Sequence, residues 1–242
     1  MCKRYIAVLD SGLGGISVLK SLKKEYPFEN YIYFGDNENA PYGNKTVDEL
    51  FEITKRNVDA LKKYPLKAIV LGCNTLSVNL KDEIEKYARV LVVGVYPPVD
   101  KIDLKNNRTL LLSTKRTAER YRKIKYLDVL GLENLAIEIE NNPFRLDNID
   151  LEKNLRQSVG EFIDKKGVYD VVILGCTHYE FVKNKILDHF CPKKILCSSD
   201  FVAQELSLYL SKSKSQVKHN QNETLFIGKN AYIYNMFDVK SG

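Results

Sequence analysis

The 242-residue sequence lacks several features that would assign it to a simple class of protein. No apolar run approaches the roughly 18 to 20 residues that a membrane-spanning helix needs, and the first residues lead into a strand pattern rather than a secretion signal. The five cysteines are odd in number and include no Cys-x-x-Cys pair. This argues against a disulfide framework, a zinc site and a thioredoxin-type redox pair. We therefore expect a cytoplasmic protein with reduced thiols that does not contact a membrane.

Motifs for nucleotides and metals are also missing. The glycine-rich turn Gly12–Gly15 matches neither G-x-G-x-x-G nor G-x-x-x-x-G-K-[ST], and His189 and His219 have no partners at the spacing of metal ligands. The formal net charge is +6, but we take the lysines and arginines to be scattered rather than gathered in one basic segment with interleaved aromatic residues. We therefore predict no metal site, and a nucleic-acid partner is not expected.

Two stretches of the chain nearly repeat each other. Residues 69–75 are Ile-Val-Leu-Gly-Cys-Asn-Thr and residues 172–178 are Val-Ile-Leu-Gly-Cys-Thr-His, so Cys73 and Cys176 are 103 residues apart. Each apolar run predicts a buried strand of a parallel sheet. Each Gly-Cys step falls where such a strand turns toward a helix, which is where open α/β sheets place their ligand sites.

The same offset aligns the strand pattern of residues 4–11 with that of residues 107–114, and strands alternate with helices along the chain. We predict an α/β protein of two similar domains with parallel-rich sheets, related by an approximate twofold axis, with the active site in the cleft between them. The first domain comprises residues 1–96 and a returning segment, 206–242, and the second comprises residues 97–205. Within the second domain, residues 136–139 are predicted to form a short strand.

Two cysteines on opposite sides of one cleft suit a reaction at a tetrahedral carbon. A thiolate removes a proton from one face, a thiol delivers a proton to the opposite face, and the product is the mirror image. A C–H next to a carboxylate is very weakly acidic, and a cysteine, with an unperturbed pKa of about 8.5, can be tuned to act as its base. Asp10 is the candidate partner of Cys73, and His178 is that of Cys176. The remaining cysteines are predicted to be structural: Cys2, Cys191 and Cys197.

Hydroxyl and amide side chains beside these positions are suited to holding the carboxylates of an amino acid. They are Ser11, Asn74, Thr75 and Thr177.

Four motifs, in order along the chain, resemble those of the glutamate racemases, cofactor-independent enzymes of the amino-acid racemase superfamily. They are Asp10-Ser11-Gly12-Leu13-Gly14-Gly15, Gly35-Asp36 through Ala40-Pro41-Tyr42-Gly43, Gly72-Cys73-Asn74-Thr75, and Gly175-Cys176-Thr177-His178-Tyr179. The resemblance implies a substrate buried between two domains, no cofactor, and two cysteine acid/bases assisted by Asp10 and His178. It also implies substrate contacts from Ser11, Pro41, Tyr42, Gly43, Asn74, Thr75, Thr117 and Thr177.

The activity that the resemblance implies is interconversion of L- and D-glutamate, which would supply D-glutamate for bacterial peptidoglycan. Dimers are common in the family, so a homodimer is possible. Two alternatives stay open: racemisation of another amino acid such as aspartate, and a catalytically silent paralogue that binds a ligand or regulates a partner.

The sequence departs from the family pattern in three places. Tyr96-Pro97-Pro98 stands where the family usually carries an acidic residue before a proline. The family's glutamate near its second active cysteine falls at Asp150. The segment after Cys197 is abbreviated.

Overall fold

The computed structural model describes residues 3–132, 134–159, 167–210, 223–231 and 233–235. Cys2 and His219 lie outside these ranges, as does the larger part of the predicted returning segment, 206–242. None of the described helices is long and apolar enough to span a bilayer.

The described elements alternate as the sequence predicts. In chain order they are β1 (Tyr5–Asp10), α1 (Gly15–Glu25), β2 (Asn30–Gly35), α2 (Val47–Leu61), β3 (Leu66–Leu71), α3 (Asn74–Ala88), β4 (Val92–Gly94), β5 (Thr109–Thr114), α4 (Lys115–Tyr121), β6 (Leu127–Leu132), α5 (Leu135–Asn141), α6 (Leu151–Val159), β7 (Val171–Gly175), α7 (Lys183–Phe190), β8 (Lys194–Cys197), α8 (Val202–Leu210) and β9 (Thr224–Ile227). Short 3₁₀ helices fill several connections, among them Thr177–Val182 and Ser198–Phe201.

The strands form two parallel sheets, in the orders β4-β3-β1-β2-β9 and β6-β5-β7-β8. Both faces of the first sheet are covered, because successive residues of a strand point to opposite sides. Ala7 and Leu9 pack in a core that includes residues of α2 and α3, whereas Ile6 and Val8 pack in a core that includes residues of α1 and α8. Strands buried on both faces explain the near-continuous apolar runs in the sequence.

The topology repeats as the sequence does. Strand order β4-β3-β1-β2 in the first sheet matches β8-β7-β5-β6 in the second. The register repeats as well, since Leu9 pairs with Leu71 and Leu112 pairs with Leu174, each partner displaced by the same 103 residues. The predicted fold class, an α/β protein built from two similar parallel sheets, is therefore confirmed.

The C-terminal strand β9 pairs with β2 at the edge of the first sheet. Helix α8 before it packs against α1, so the chain returns to the first sheet after completing the second. The domain boundaries at residues 97 and 206 stay a prediction, and we propose them as the limits of the two units.

Two sequence predictions for the second unit are wrong. Residues 136–139 lie in helix α5 rather than in a strand, because Leu135, Ala136 and Ile139 share the helical spacing that buries one face. A four-residue apolar pattern cannot distinguish the two structures. The cations are also less scattered than assumed, since residues 115–126 carry six lysines and arginines and one glutamate.

Candidate active site

A cavity of about 80 Å³ lies between the two units, at the ends of their central strands. All of the predicted site residues line it except Asp10 and Thr117. The lining residues that were predicted are Ser11, Pro41, Tyr42, Gly43, Cys73, Asn74, Thr75, Cys176, Thr177 and His178. Seven further lining residues were not predicted as site residues: Asn37, Ala40, Thr114, Ala136, Ile137, Glu140 and Asn141.

Cys73 follows strand β3 and caps the N-terminus of α3. The nearby backbone N–H groups of Thr75 and Leu76, at the start of this helix, lower the pKa of Cys73 and so favour its thiolate. Burial and the neighbouring Asp10 carboxyl outweigh them and raise the pKa of Cys73 to about 12. Cys73 is therefore a neutral thiol near neutral pH.

Cys176 occupies the equivalent place after β7, beside a different partner. The chain enters a 3₁₀ helix at Thr177, and this turn brings His178 Nδ1 to 4.0 Å from the Cys176 sulfur. Residues two apart on a strand share a face, but the strand has ended at Gly175, and the tighter 3₁₀ turn brings these two side chains closer than strand spacing would.

Glu140 completes this side of the cavity. Its Oε2 lies 2.7 Å from His178 Nε2 and accepts a 2.7 Å hydrogen bond from Leu13 N, and Asn37 Nδ2 donates to its Oε1. Burial opposes ionisation of Glu140, yet its bonds with His178, Leu13 and Asn37 hold its pKa below the usual range. Burial likewise disfavours the charged form of His178, but its bonds to Cys176 and Glu140 raise its pKa well above the ordinary value. The two groups form a buried ion pair beside the Cys176 sulfur.

Glu140, not Asp150, is therefore the acidic residue on this side of the cavity. Asp150 is exposed, and its Oδ1 accepts a hydrogen bond from Lys153 N at the start of α6, which is the role of a helix cap. The missed signal was the helical spacing of α5. Ala136, Ile137 and Glu140 lie three and four residues apart on one helix face, and that face lines the cavity.

Asp10 lies behind the cavity wall, at the end of β1, and is fully buried. Its Oδ2 accepts a 3.0 Å hydrogen bond from Gly12 N, whereas its Oδ1 has no hydrogen-bond partner among the described residues. Burial raises the pKa of Asp10, although the nearby His178 cation opposes the shift. Asp10 can therefore carry a proton close to Cys73 without contacting the cavity.

Thr117 also lies behind the wall and reaches the cavity through other hydroxyls. Its Oγ1 is 3.2 Å from Thr114 Oγ1 and 3.4 Å from Thr75 Oγ1, and the latter two oxygens are 3.1 Å apart. This cluster joins α3 of the first unit to β5 and α4 of the second. Thr114 and Thr75 line the cavity, and Thr117 supports them.

The loop that carries Pro41, Tyr42 and Gly43 is fixed by a buried polar network. Tyr42 Oη donates to Asp36 Oδ2 at 2.6 Å, and Asn57 Nδ2 from α2 donates to the same oxygen at 2.8 Å. Such fully bonded networks rigidify their surroundings. The loop therefore presents Tyr42 and Gly43 to the cavity in a defined position.

Asn74 offers an unused acceptor at the cavity. Its Nδ2 donates to Val95 O at 3.1 Å, which fixes the side chain, and its buried Oδ1 has no partner among the described residues. A buried acceptor without a partner is costly in a folded protein. The oxygen is suited to accept a hydrogen bond from the ammonium group of a bound amino acid.

The cavity thus combines two thiols from equivalent strand ends with hydroxyl and amide groups that can hold a small polar molecule. One thiol neighbours a buried carboxyl and the other an imidazolium. This difference lets one sulfur act as a base while the other acts as an acid. Tyr96, Pro97 and Pro98 are not among the described residues that line the cavity.

The chain is similar to known glutamate racemases over most of its length. The glutamate racemase of Clostridium acetobutylicum is 35% identical over 219 residues, which cover 86% of this chain and 84% of that protein. The glutamate racemase of Buchnera aphidicola is 32% identical over 223 residues, covering 86% and 85%. A scan against protein-family models finds no match.

Solved structures give the same result over nearly the whole chain. A glutamate racemase isoform from Bacillus anthracis superposes with a TM-score of 0.80 at 26% identity, covering 97% of this chain and 93% of that one. The Escherichia coli glutamate racemase, in complex with L-glutamate and the activator UDP-MurNAc-ala, has a TM-score of 0.75 at 26% identity, covering 94% and 90%.

Proposed function

The chain belongs to the glutamate racemases, isomerases that interconvert the enantiomers of glutamate, and we propose that it catalyses this reaction with Cys73 and Cys176 as its acid and base. One observation carries the proposal. The two cysteines follow equivalent strands of the repeat, line one cavity and have unlike titratable partners.

The proposed reaction exchanges one proton for another at the α-carbon. A thiolate takes the α-proton, so the C–H bond breaks, an S–H bond forms and its electron pair stays on carbon. The opposite thiol then gives its proton to the other face of that carbon and becomes a thiolate. Each turnover leaves the protonation states of the two sulfurs exchanged, and a proton must move between them or through solvent before the same enantiomer can react again.

The charged groups beside the two sulfurs differ, and this difference supports different roles for Cys73 and Cys176. The raised pKa of Cys73 favours its thiol in the free enzyme. A cationic His178 at 4.0 Å stabilises negative charge on Cys176, and Glu140 keeps that histidine charged. We therefore propose that Cys73 starts as the thiol, with Asp10 as its proton-carrying neighbour, and that Cys176, beside the His178 cation, is the base.

The hydrogen-bonding groups around the two thiols support binding of an acidic amino acid. Hydroxyls of Ser11, Thr75 and Thr114, with backbone N–H groups at the start of α3, can donate to carboxylates. Asn74 Oδ1 can accept from the ammonium group. Of the open alternatives, racemisation of aspartate requires the same groups, so a panel of amino acids must distinguish the two substrates.

We further propose that the D-glutamate serves peptidoglycan synthesis and that the enzyme works in the cytoplasm without a cofactor. These proposals rest on family membership. A homodimer likewise stays a prediction.

NMR in D₂O tests the two-cysteine mechanism. L- and D-glutamate are incubated separately with wild-type enzyme, Cys73→Ala, Cys176→Ala and the matched control Cys197→Ala, which removes another buried thiol outside the cavity. We expect loss of the α-proton signal and racemisation with wild type and Cys197→Ala. We expect racemisation to fall at least about 10³-fold in either of the other variants, because each lacks one of the two proton carriers.

Each other outcome has a distinct meaning. Racemisation that survives in Cys73→Ala or Cys176→Ala would refute the two-base mechanism. If wild type exchanges the α-proton of aspartate but not that of glutamate, the substrate is aspartate. If no amino acid exchanges, the silent paralogue becomes the better explanation.

A further inference from the structure

A chain of partly buried hydrogen bonds connects the segment after β9 to the cavity. Tyr234 Oη donates to Asn37 Oδ1, Asn37 Nδ2 donates to Glu140 Oε1, and Glu140 Oε2 bonds His178 Nε2. We propose that Tyr234 is a positioning residue for the Cys176 side of the site, acting through Asn37 and Glu140. The inference rests on the proposed role of His178 as the partner of Cys176.

The tyrosine is built tightly into the first unit. It is fully buried, and its ring packs edge-on against Tyr33 with centroids 4.9 Å apart. The hydroxyl lies so close to Gly35 that a Cβ there would come within 2.3 Å of it. A residue with any side chain at position 35 would therefore displace this tyrosine.

The direction of the hydrogen bonds gives the tyrosine its effect. Burial, with the negative charge of Glu140, raises the pKa of Tyr234, so the hydroxyl stays protonated and can donate. By donating to Oδ1 of Asn37, it leaves the amide Nδ2 facing Glu140. The neutral tyrosine thus fixes which end of the asparagine meets the carboxylate.

The hydrogen bond between Asn37 and Glu140 also joins the two units across the cavity. Asn37 follows β2 of the first sheet, whereas Glu140 lies on α5 of the second unit. Leu13 N, also from the first unit, donates to the other carboxylate oxygen. Both carboxylate oxygens of Glu140 therefore accept hydrogen bonds from the first unit. Tyr234, in the segment after β9, orients Asn37 for one of these two bonds.

The test combines NMR of histidine with kinetics. The chain has three histidines, so ¹³C-labelled histidine gives a spectrum in which His178 can be assigned by substitution. The titratable groups facing His178 are Glu140 from α5, Cys176 after β7 and Asp10 at the end of β1. In Tyr234→Phe we expect His178 to titrate roughly half a pH unit lower or more, because a less well held Glu140 stabilises the imidazolium less.

Tyr31→Phe is the matched control. Tyr31 is equally buried, and its hydroxyl donates to Leu22 O and Tyr26 O, away from the cavity. We expect kcat to fall about five- to tenfold in Tyr234→Phe and the alkaline limb of its pH profile to move to lower pH. In Tyr31→Phe we expect neither change, at a comparable loss of thermal stability.

A double-mutant cycle checks that Tyr234 acts through Asn37. In an Asn37→Ala background, Tyr234→Phe should cause no further loss of kcat. The proposal is overturned if the two losses add, or if His178 titrates identically in Tyr234→Phe and Tyr31→Phe. The NMR result does not require racemase activity, so it separates failure of this inference from failure of the proposed function.

Discussion

The two thiols of the cavity are the same residue type in opposite electrostatic surroundings. Cys73 is buried beside a carboxyl that disfavours its thiolate, whereas Cys176 lies beside an imidazolium that favours negative charge. In the proposed mechanism, Cys73 is the sulfur that starts with a proton to give and Cys176 is the base. The acidic residue that maintains this difference is Glu140, because it keeps His178 charged.

At the residue scale, we predict that Glu140→Gln lowers kcat about 10²-fold. The amide keeps one acceptor oxygen where the carboxylate has two, and it removes the negative charge that raises the pKa of His178. Loss of a buried charge-assisted bond costs about 1.5 to 3 kcal/mol, which corresponds to this fold-change. Steady-state kinetics from pH 6 to 10 would show the loss growing as pH rises.

Asp150→Asn is the control for this prediction. Asparagine caps a helix as well as aspartate does, so both stability and kcat should stay unchanged. If Asp150→Asn impairs turnover and Glu140→Gln does not, the assignment of the acidic residue is reversed.

The sequence predicted those site residues that lie next to repeated strands. Ser11, Asn74, Thr75 and Thr177 follow strand ends, and the carboxyl ends of parallel strands meet at one edge of a sheet. Glu140 comes from the face of a short helix, so its position depends on how that helix packs across the cavity. Asn37 was missed for a related reason, since only its contact with Glu140 in the other unit indicates a role.

At the scale of elements, the contact between the start of α1 and the 3₁₀ helix Thr177–Val182 sets the position of His178. A Cβ on Gly14 would lie 2.5 Å from His178 Nδ1 and 2.6 Å from Thr177 Oγ1. Gly14 therefore allows the glycine-rich turn to approach the other unit closely. Nothing in the sequence indicated that these two elements touch.

We predict that Gly14→Ala lowers kcat about 10²-fold, because a displacement of about 1 Å in a catalytic group costs that much. Gly167→Ala is the contrasting variant. Gly167 has a φ of +73° and nothing within 4 Å of a Cβ, so alanine there should cost about 1 kcal/mol in stability through backbone strain and leave kcat unchanged. Kinetics and urea unfolding of both variants would test this, and normal turnover in Gly14→Ala would contradict it.

At the scale of the whole molecule, the repeat was predictable and the contacts between its copies were not. The offset of 103 residues reappears in strand order and in register. In contrast, Glu180 gave no signal in the sequence, although it lies beside Ser17 of α1 in the other unit. Its Oε2 accepts a 2.6 Å hydrogen bond from Ser199 Oγ.

Burial raises the pKa of Glu180 to about 7, from 4.5 for a free glutamate. The folded state therefore holds this proton at pH values where the unfolded chain has lost it, and the stability that it contributes declines as pH rises from about 4.5 to 7. We predict that Glu180→Gln stabilises the protein by about 2 to 3 kcal/mol more at pH 8 than at pH 5. Urea unfolding at the two pH values measures the difference.

Glu52→Gln serves as the reference for that comparison, because Glu52 is exposed and pairs only with Lys55 among the described residues. Its effect on stability should be small and equal at both pH values. A Glu180→Gln gain that does not change between pH 5 and pH 8 would show that this carboxyl is ionised in the folded state throughout.

The repeat bears on how long each enantiomer of glutamate occupies the enzyme. A chain of L-amino acids contains no mirror plane, so two copies of one unit can be related only by rotation, whereas L- and D-glutamate are reflections of each other. Because the units are related by rotation and the substrates by reflection, Cys73 and Cys176 can have unlike neighbours. The reactions from L to D and from D to L therefore need not have the same kcat. Since the equilibrium constant of a racemisation in water is unity, the ratio of the two kcat values must equal the ratio of the two KM values. The asymmetry of the cavity therefore determines which enantiomer occupies the enzyme for longer, and it has no influence on which one accumulates.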